Sequence, residues 1–539
     1  MSRFKYLFFT TLSAILLVLP FHFDTLGFVA YFALIPYFFT LDSKTAGGAF
    51  KYSYLFGLLF FCLLGYWLTN VNIIGFVLLA AYFALYFAFF GFFAAMFLNP
   101  PAEFEKISAK FLLKTIIFIP AFWVTLEVLR GWVLGGLPWA LLGYSQWKNI
   151  VWIQIADITG AYGVSYFVLA VNVALYQMIR ILLIKPDVML LLGVSKEAKI
   201  KILTTISGFL LAALFLVSGY GMTILKLRES YYSSSADKAA LRVSVLQGNI
   251  PQEEKWDSKI KNIIFEKYKR LTFMSAIEKS DLIVWPETSF PGFLEDEPVM
   301  AAQLRNVVRQ SRTDVLVGAP TCGDLEKGLR FYNSAIFYGP DGEERKRYNK
   351  VHLVPFGEYV PFEPFLSFIR NFVQIGHFTA GEERTIFTMV TRYQKINLEV
   401  KFAALICYED IFPGLVREFC NNGADFLVNM TNDAWFGKTS APYQHAQASV
   451  FRAVENRVNV VRATNTGFSC FISPEGRILD SVKENGKEIF VTGHKGAILT
   501  LRKEKTFYNR FGDVFSAFCF FLCFLAYKDL SRNKRYARL

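Results

Sequence analysis

Eight apolar runs, most of them near bilayer length, constrain this chain more than anything else in it. They fall at about 6–21, 26–41, 52–69, 73–98, 112–134, 162–184, 203–225 and 511–527. A spanning helix needs about 20 mostly apolar residues, and inside hydrocarbon the backbone polar groups must be satisfied within the structure itself. A helical membrane domain follows. Composition agrees, since 54% of the 539 residues are hydrophobic, 57 are Phe, and mean hydropathy is +0.34. The first run follows Arg3 and Lys5 and resembles a signal peptide. No small-residue cleavage site ends it and a second run begins at once, so it reads as an uncleaved first helix. Pro20, Pro36 and Pro120 are placed to kink or end helices, which membrane proteins tolerate when neighbours satisfy the freed backbone groups.

A formal net charge of +13 invites a nucleic-acid reading. The positions of the cations argue against it. Arg3 and Lys5 precede the first run, Lys44 and Lys51 lie between the second and third, and Lys106, Lys110 and Lys114 lie between the fourth and fifth. Arg180, Lys185, Lys196, Lys199 and Lys201 lie between the sixth and seventh, and Lys528, Arg532, Lys534, Arg535 and Arg538 crowd the tail. All of these share one side if the N-terminus is cytoplasmic, and the opposite short loops are poor in Lys and Arg, as the positive-inside rule requires. Both termini are then expected in the cytoplasm, with the large hydrophilic segment outside; in a bacterium that is the periplasm. The expected organisation is a membrane domain with seven helices over 1–228, a hydrophilic domain over 240–504, and an eighth helix with a basic tail over 510–539.

From about Leu241 to Leu501 charged and apolar residues alternate as in a soluble α/β domain. Short apolar runs bounded by turn residues mark strands at 241–247, 281–285, 313–318, 403–407 and 424–429, and helical stretches such as Ser258 to Lys279 and Glu295 to Arg312 separate them. Strand–helix alternation gives an α/β class. Among the seven cysteines, Cys62, Cys519 and Cys523 sit in candidate membrane helices. Cys322, Cys420 and Cys470 are either buried thiols or partners in a disulfide. Without a Cys-x-x-Cys pair a zinc ribbon is not expected, and the five histidines form no ligand cluster, so neither a metal nor a cofactor is assigned. Asn432-Asp433-Ala434 lacks the EF-hand pattern.

Three residues beside apolar strands carry chemistry. Cys407 ends one strand and precedes Tyr408-Glu409-Asp410, where a nucleophile faces a cleft while its strand holds it still. Glu287 follows Trp285-Pro286, and a carboxylate against tryptophan in a partly dry site makes a better general base. Lys350 precedes His-Leu-Val-Pro-Phe-Gly-Glu-Tyr, and an ammonium beside a tetrahedral intermediate stabilises its oxyanion. Alone, each has an ordinary explanation: a buried structural cysteine, a solvated strand-end glutamate, a surface lysine continuing Arg345-Lys346-Arg347. In the membrane runs, Glu127 and Arg130 share a helical face at i, i+3, which suits either a pair with one another or a site for a lipid headgroup.

Taken together, Glu287, Lys350 and Cys407, each in its own extended motif, resemble the carbon–nitrogen hydrolase (nitrilase) superfamily. The match is closer to the bacterial apolipoprotein N-acyltransferase family. It rests on Gln247-Gly248-Asn249-Ile250-Pro251-Gln252, Lys255-Trp256, Trp285-Pro286-Glu287-Thr288, Tyr332-Asn333-Ser334, Lys350 to Pro361, Cys407-Tyr408-Glu409 and Asn429 to Gly437. In the membrane part it rests on Glu127, Arg130-Gly131, Pro138-Trp139, Gly143-Tyr144, Asp157, Gly160 and Gly163. The resemblance implies an α-β-β-α sandwich, with Glu287 as general base, Lys350 as oxyanion stabiliser and Cys407 as nucleophile. Glu358 would be a supporting glutamate, and Trp256, Tyr408, Glu409 and Trp435 would line or shape the site. It also implies a phospholipid acyl donor, a diacylglyceryl apolipoprotein acceptor and the bacterial inner membrane. The rival expectation is a membrane-tethered amidase acting on a small C–N substrate, which the three residues alone fit equally well.

Overall fold

The computed structural model describes residues 3–42, 44–98, 109–183, 195–234, 240–255, 257–323, 329–360, 377–393, 396–501 and 504–532. The chain divides into two compact units, Met1–Ser230 with Asp513–Leu539, and Tyr231–Gly512.

Among the described residues, eight helical segments of the first unit are long and apolar enough to cross a membrane: Arg3–His22, Asp24–Leu41, Ala46–Leu64, Ile73–Leu98, Lys110–Arg130, Ala161–Leu183, Lys196–Ser230 and Val514–Ser531. The second is broken into a 3-10 stretch, Asp24–Tyr31, and a short α-helix, Ile35–Leu41, with Pro36 in its first turn. Neighbouring side chains satisfy the backbone groups this break frees. Asn172 accepts from the Leu34 N–H (3.0 Å) and donates to the Ala30 carbonyl (2.8 Å), and Ser13 accepts from the Tyr37 N–H (2.8 Å). The third helix begins at Ala46 rather than near 52, because the Thr45 side chain accepts from the Gly48 N–H and caps it. Hydropathy had missed that turn because Gly47, Gly48 and Lys51 dilute it. The fifth ends at Arg130, short of the expected 134, where Leu134, Gly135 and Gly136 turn to positive φ. Helices Ala46–Leu64 and Ile73–Leu98 approach closely at small residues: a Cβ on Gly91 would stand 1.7 Å from Ser53 Oγ. Exposed Leu211, Phe215, Leu216, Phe518 and Phe521 suit a lipid-facing surface.

The second unit holds two six-stranded sheets. The first contains β1 (Ala240–Gln247), β2 (Leu282–Val284), β3 (Asp314–Gly323), β4 (Arg330–Tyr338) and β5 (Glu344–Asn349). The other contains β6 (Phe387–Tyr393), β7 (Ile396–Ile406), β8 (Phe426–Thr431), β9 (Asn459–Thr464), β10 (Cys470–Ile472) and β11 (Ile478–Ser481). The last strand, β12 (Gly493–Thr500), returns to the first sheet, giving the orders β12-β1-β2-β3-β4-β5 and β11-β10-β9-β8-β7-β6. Each sheet has a parallel centre, β1-β2-β3 and β7-β8-β9, flanked by antiparallel strands. Parallel strands covered on both faces read as continuous apolar runs, and β2 and β8 are buried throughout. Helices Lys261–Ile277 and Pro298–Ser311 cover the outer face of the first sheet, where Phe265, Tyr268, Leu304 and Val307 join Ile283, Trp285 and Val317 in one core. Helices Pro413–Asn421 and Ala441–Asn456 pack on the other sheet. Between the sheets Phe337 meets Phe387 and Phe402 edge-on. The result is an α-β-β-α sandwich, and all seven cysteines of the chain are free thiols.

Candidate active site

The reactive groups collect at the carboxyl ends of the parallel strands, where open α/β sheets place their ligands. Glu287 follows β2 in a turn whose next residue, Thr288, has φ +44°. Trp285 does not face the carboxylate, as the sequence suggested. Its ring stacks on Tyr268 (4.9 Å between centroids) and its N–H donates to Thr272, so it anchors the strand end in the helix-facing core. The 7% exposed Glu287 instead meets polar partners, accepting from Asn333 Nδ2 (2.8 Å) with Lys350 Nζ 3.8 Å away.

Lys350 leaves β5 and is buried. Its backbone is pinned on both sides, the N–H donating to Asn333 O (2.9 Å) and the carbonyl accepting from Gly381 N (2.8 Å). The ammonium donates to Glu358 and stands 5.4 Å from the Tyr408 ring centroid. Burial pulls its pKa down, but the carboxylates of Glu358, foremost, and of Glu287 and Glu409 outweigh that and hold it above the ordinary lysine value. Glu358 is fixed in turn by the Val354 N–H (2.8 Å) and shares Asn333 with Glu287.

Cys407 follows β7 and opens the 3-10 turn Cys407–Ile411, with φ +56°. A non-glycine residue in that region is uncommon and is held there only by its surroundings. Asn429 Nδ2 donates to its carbonyl (2.8 Å). Burial and the Glu287 carboxylate raise the thiol pKa, with Lys350 pulling the other way. A thiol raised in this way needs a base to become a nucleophile.

Glu409 braces these parts. Fully buried, it accepts from the N–H groups of Val351 (2.9 Å) and His352 (3.0 Å) beside Lys350, from Ile406 N–H (2.7 Å) beside Cys407, and from Tyr348 Oη (2.8 and 3.0 Å). One carboxylate thus ties the lysine turn of the first sheet to the cysteine turn of the second. Burial pushes its pKa up to about 7, against the pull of Lys350 and its donors. Tyr408 donates to Leu353 O, and His352 stacks on Phe412.

Glu287, Lys350, Glu358, Tyr408 and Glu409 therefore come together around the Cys407 turn. Trp435 is 50% exposed on the 3-10 turn Asp433–Phe436, and Phe356 is exposed too. Trp256 lies outside the described residues. The Asn432-Asp433 stretch is committed to hydrogen bonds: Asn432 with Gln252 and Asn465, Asp433 with His445. Of the two alternatives for Glu127 and Arg130, a direct pair within 4.0 Å is not formed. Glu127 accepts from Trp123 Nε1 (2.8 Å) and Leu142 N–H (2.7 Å), while Arg130 lies over the rings of Phe61 and Phe83, both side chains lining one cavity.

Residues 13–174 match the apolipoprotein N-acyltransferase N-terminal domain and residues 242–493 the carbon–nitrogen hydrolase domain. An apolipoprotein N-acyltransferase from Geobacter metallireducens is 34% identical over 94% of this chain and 92% of its own. The chain belongs to the apolipoprotein N-acyltransferase family. A second relative of the same name, from Methylococcus capsulatus, is 36% identical over 68% of this chain and 65% of its own, and one from Rickettsia prowazekii 30% over 81% of each. An amidase structure from Nesterenkonia sp., 19% identical over 48% of this chain and 90% of that one, has a TM-score of 0.36, too slight a likeness to carry weight.

A multi-pass member of this family needs its site held firmly, and two supports escaped the sequence. Asn333 was visible only as part of a motif; its bridge between Glu287 and Glu358 depends on β4 lying beside β3 and β5. Behind the cysteine turn, Asp410 accepts from Arg462 (2.8 Å) and Ser449 and pairs with His445 Nε2 (2.9 Å), all buried. A charged residue four places after the strand was the only hint of this cluster.

Proposed function

We propose that this protein moves a fatty acyl chain from a phospholipid, through a thioester on Cys407, to the free α-amine of the diacylglyceryl-modified N-terminal cysteine of apolipoproteins. The observation that carries it is the Glu287–Lys350 approach of 3.8 Å beside a thiol whose own proton must be removed, in a chain with eight candidate spans among its described residues. Glu287 takes the Cys407 proton as sulfur attacks the donor ester, and Lys350 donates to the oxyanion. Collapse expels a lysophospholipid alkoxide, which receives the proton from Glu287. The acceptor amine, with an ordinary pKa of about 8, then attacks the thioester; Glu287 removes its proton, and the Cys407 sulfur leaves and is reprotonated. Glu358, Tyr408 and Glu409 position these groups, and Trp256 and Trp435 contact substrate.

We assign residues 1–228 and 510–539 to the membrane domain and 240–504 to the catalytic domain. The catalytic domain faces the periplasm, both termini are cytoplasmic and the membrane is the bacterial inner membrane. Membrane anchoring suits the chemistry. Drawing an acyl chain of about fourteen carbons into water costs on the order of 10 kcal/mol, and the catalytic segment is tethered at both ends by apolar helices, Lys196–Ser234 and Val514–Arg532. The test is purified protein in vesicles whose phospholipid carries a labelled acyl chain, mixed with a diacylglyceryl lipopeptide. Label should become amide-linked to the lipopeptide amine and fail to do so when that amine is blocked. Release of the label only as free acid would support a hydrolase instead.

A further inference from the structure

Lys255 is a buried cation that the proposed reaction does not use. It sits between β1 and helix Lys261–Ile277, is 5% exposed, and has no carboxylate within 4.0 Å among the described residues. Its Nζ donates to the Glu287 carbonyl (3.1 Å) and to the Thr288 hydroxyl. These two acceptors belong to the turn that aims the Glu287 carboxylate, and Thr288 holds the left-handed conformation that makes it turn. The opposite side of the turn is closed by β3. Ser289 and Phe290 N–H donate to the Gly318 carbonyl (2.8 and 3.0 Å), and a Cβ on Gly318 would stand 2.2 Å from the Pro286 carbonyl. The turn is clamped between a glycine on one side and an ammonium on the other.

We propose that Lys255 is a positioning residue for acyl transfer, which fixes the turn carrying Glu287 and whose positive charge favours the thiolate that forms at Cys407. The proposal rests on Glu287 being the base. The groups that face Lys255 are Glu287, after β2, and Cys407, after β7; on its own segment Glu253, Glu254 and Asp257 are exposed. Burial brings its pKa down to about 8, with Glu287 and Cys407 opposing the drop. Below that pH the clamp is charged. Above it the amine is neutral, one donor is lost, and the nearby positive charge that supports the thiolate forming at Cys407 disappears.

The experiment is single-turnover acylation of Cys407 by phospholipid alone, followed by intact mass across pH 6–10, so that no acceptor amine contributes to the profile. The native rate should fall through an apparent pKa near 8. Lys255→Arg, which stays charged, should abolish that fall. Lys255→Met should be slower on the order of 10²-fold at pH 7, the usual cost of a small misplacement, and flat near pH 8. An unchanged limb in both variants, or no limb near pH 8 in the native protein, would overturn the proposal; the second result needs no variant to fold. Glu287→Gln separates the parent reading. Acylation that survives this change removes Glu287 as base, whereas its loss leaves the Lys255 profile to decide alone.

Discussion

A single carboxylate, Glu409, holds the lysine and cysteine turns in register through three backbone N–H groups and one phenol. Glu409→Ala leaves those donors buried and unpaired, so it should destabilise the catalytic unit by about 3 kcal/mol and slow acylation, read by thermal melting and single-turnover rate. Glu409→Gln should keep more of the fold. Part of this scale was legible in the sequence. Glu287 and Cys407 each follow an apolar strand, and that position is a local signal; Lys350 follows β5, the charged stretch Glu344–Asn349, so only its motif marked it. The reason given for Glu287 was wrong, because Trp285 faces the helices rather than the carboxylate. Asn333 and Lys255 act through contacts 46 and 32 residues distant along the chain, which no local pattern shows.

The turn that carries Cys407 is supported by Asp410, His445 and Arg462 as one buried unit. Burial would lower the His445 pKa, but Asp410 and the hydrogen bonds to Asp410 and Asp433 raise it to about 9. A group raised on folding stabilises the protein fully below its unfolded pKa of about 6.5 and loses that contribution as pH climbs through the folded value. Asp410 is depressed, so its contribution holds above about 3.9 and is lost as pH falls further. Melting temperature should therefore drop between about pH 6.5 and pH 9, and His445→Gln should flatten that alkaline slope. Among the membrane helices, Gly91→Ala should destabilise by about 1–3 kcal/mol through overpacking against Ser53. Gly219→Ala, with nothing within 4 Å, should be neutral or slightly stabilising in the same detergent melt. Hydropathy located these helices because span length is set by the bilayer. It misplaced the third helix's start, because capping by Thr45 is a hydrogen-bond event rather than an apolar one; the break in the second run was signalled by Pro36, though its rescue by Asn172 and Ser13 was not.

At the scale of the whole chain, two six-stranded sheets build the site from both of their parallel centres, and eight apolar segments anchor the polypeptide. The α/β class was legible from strand–helix alternation. The return of β12 to pair with β1 was not, since that pairing joins residues more than 240 positions apart. Everything proposed for function passes through one covalent intermediate. The direct measurement is the intact mass of purified protein after incubation with a phospholipid of defined acyl chains. The native protein should gain the mass of one fatty acid less water, on Cys407, and lose it on adding a lipopeptide with a free N-terminal amine. Cys407→Ala should gain nothing. Acyl transfer to the lipopeptide that continues in Cys407→Ala would contradict the account.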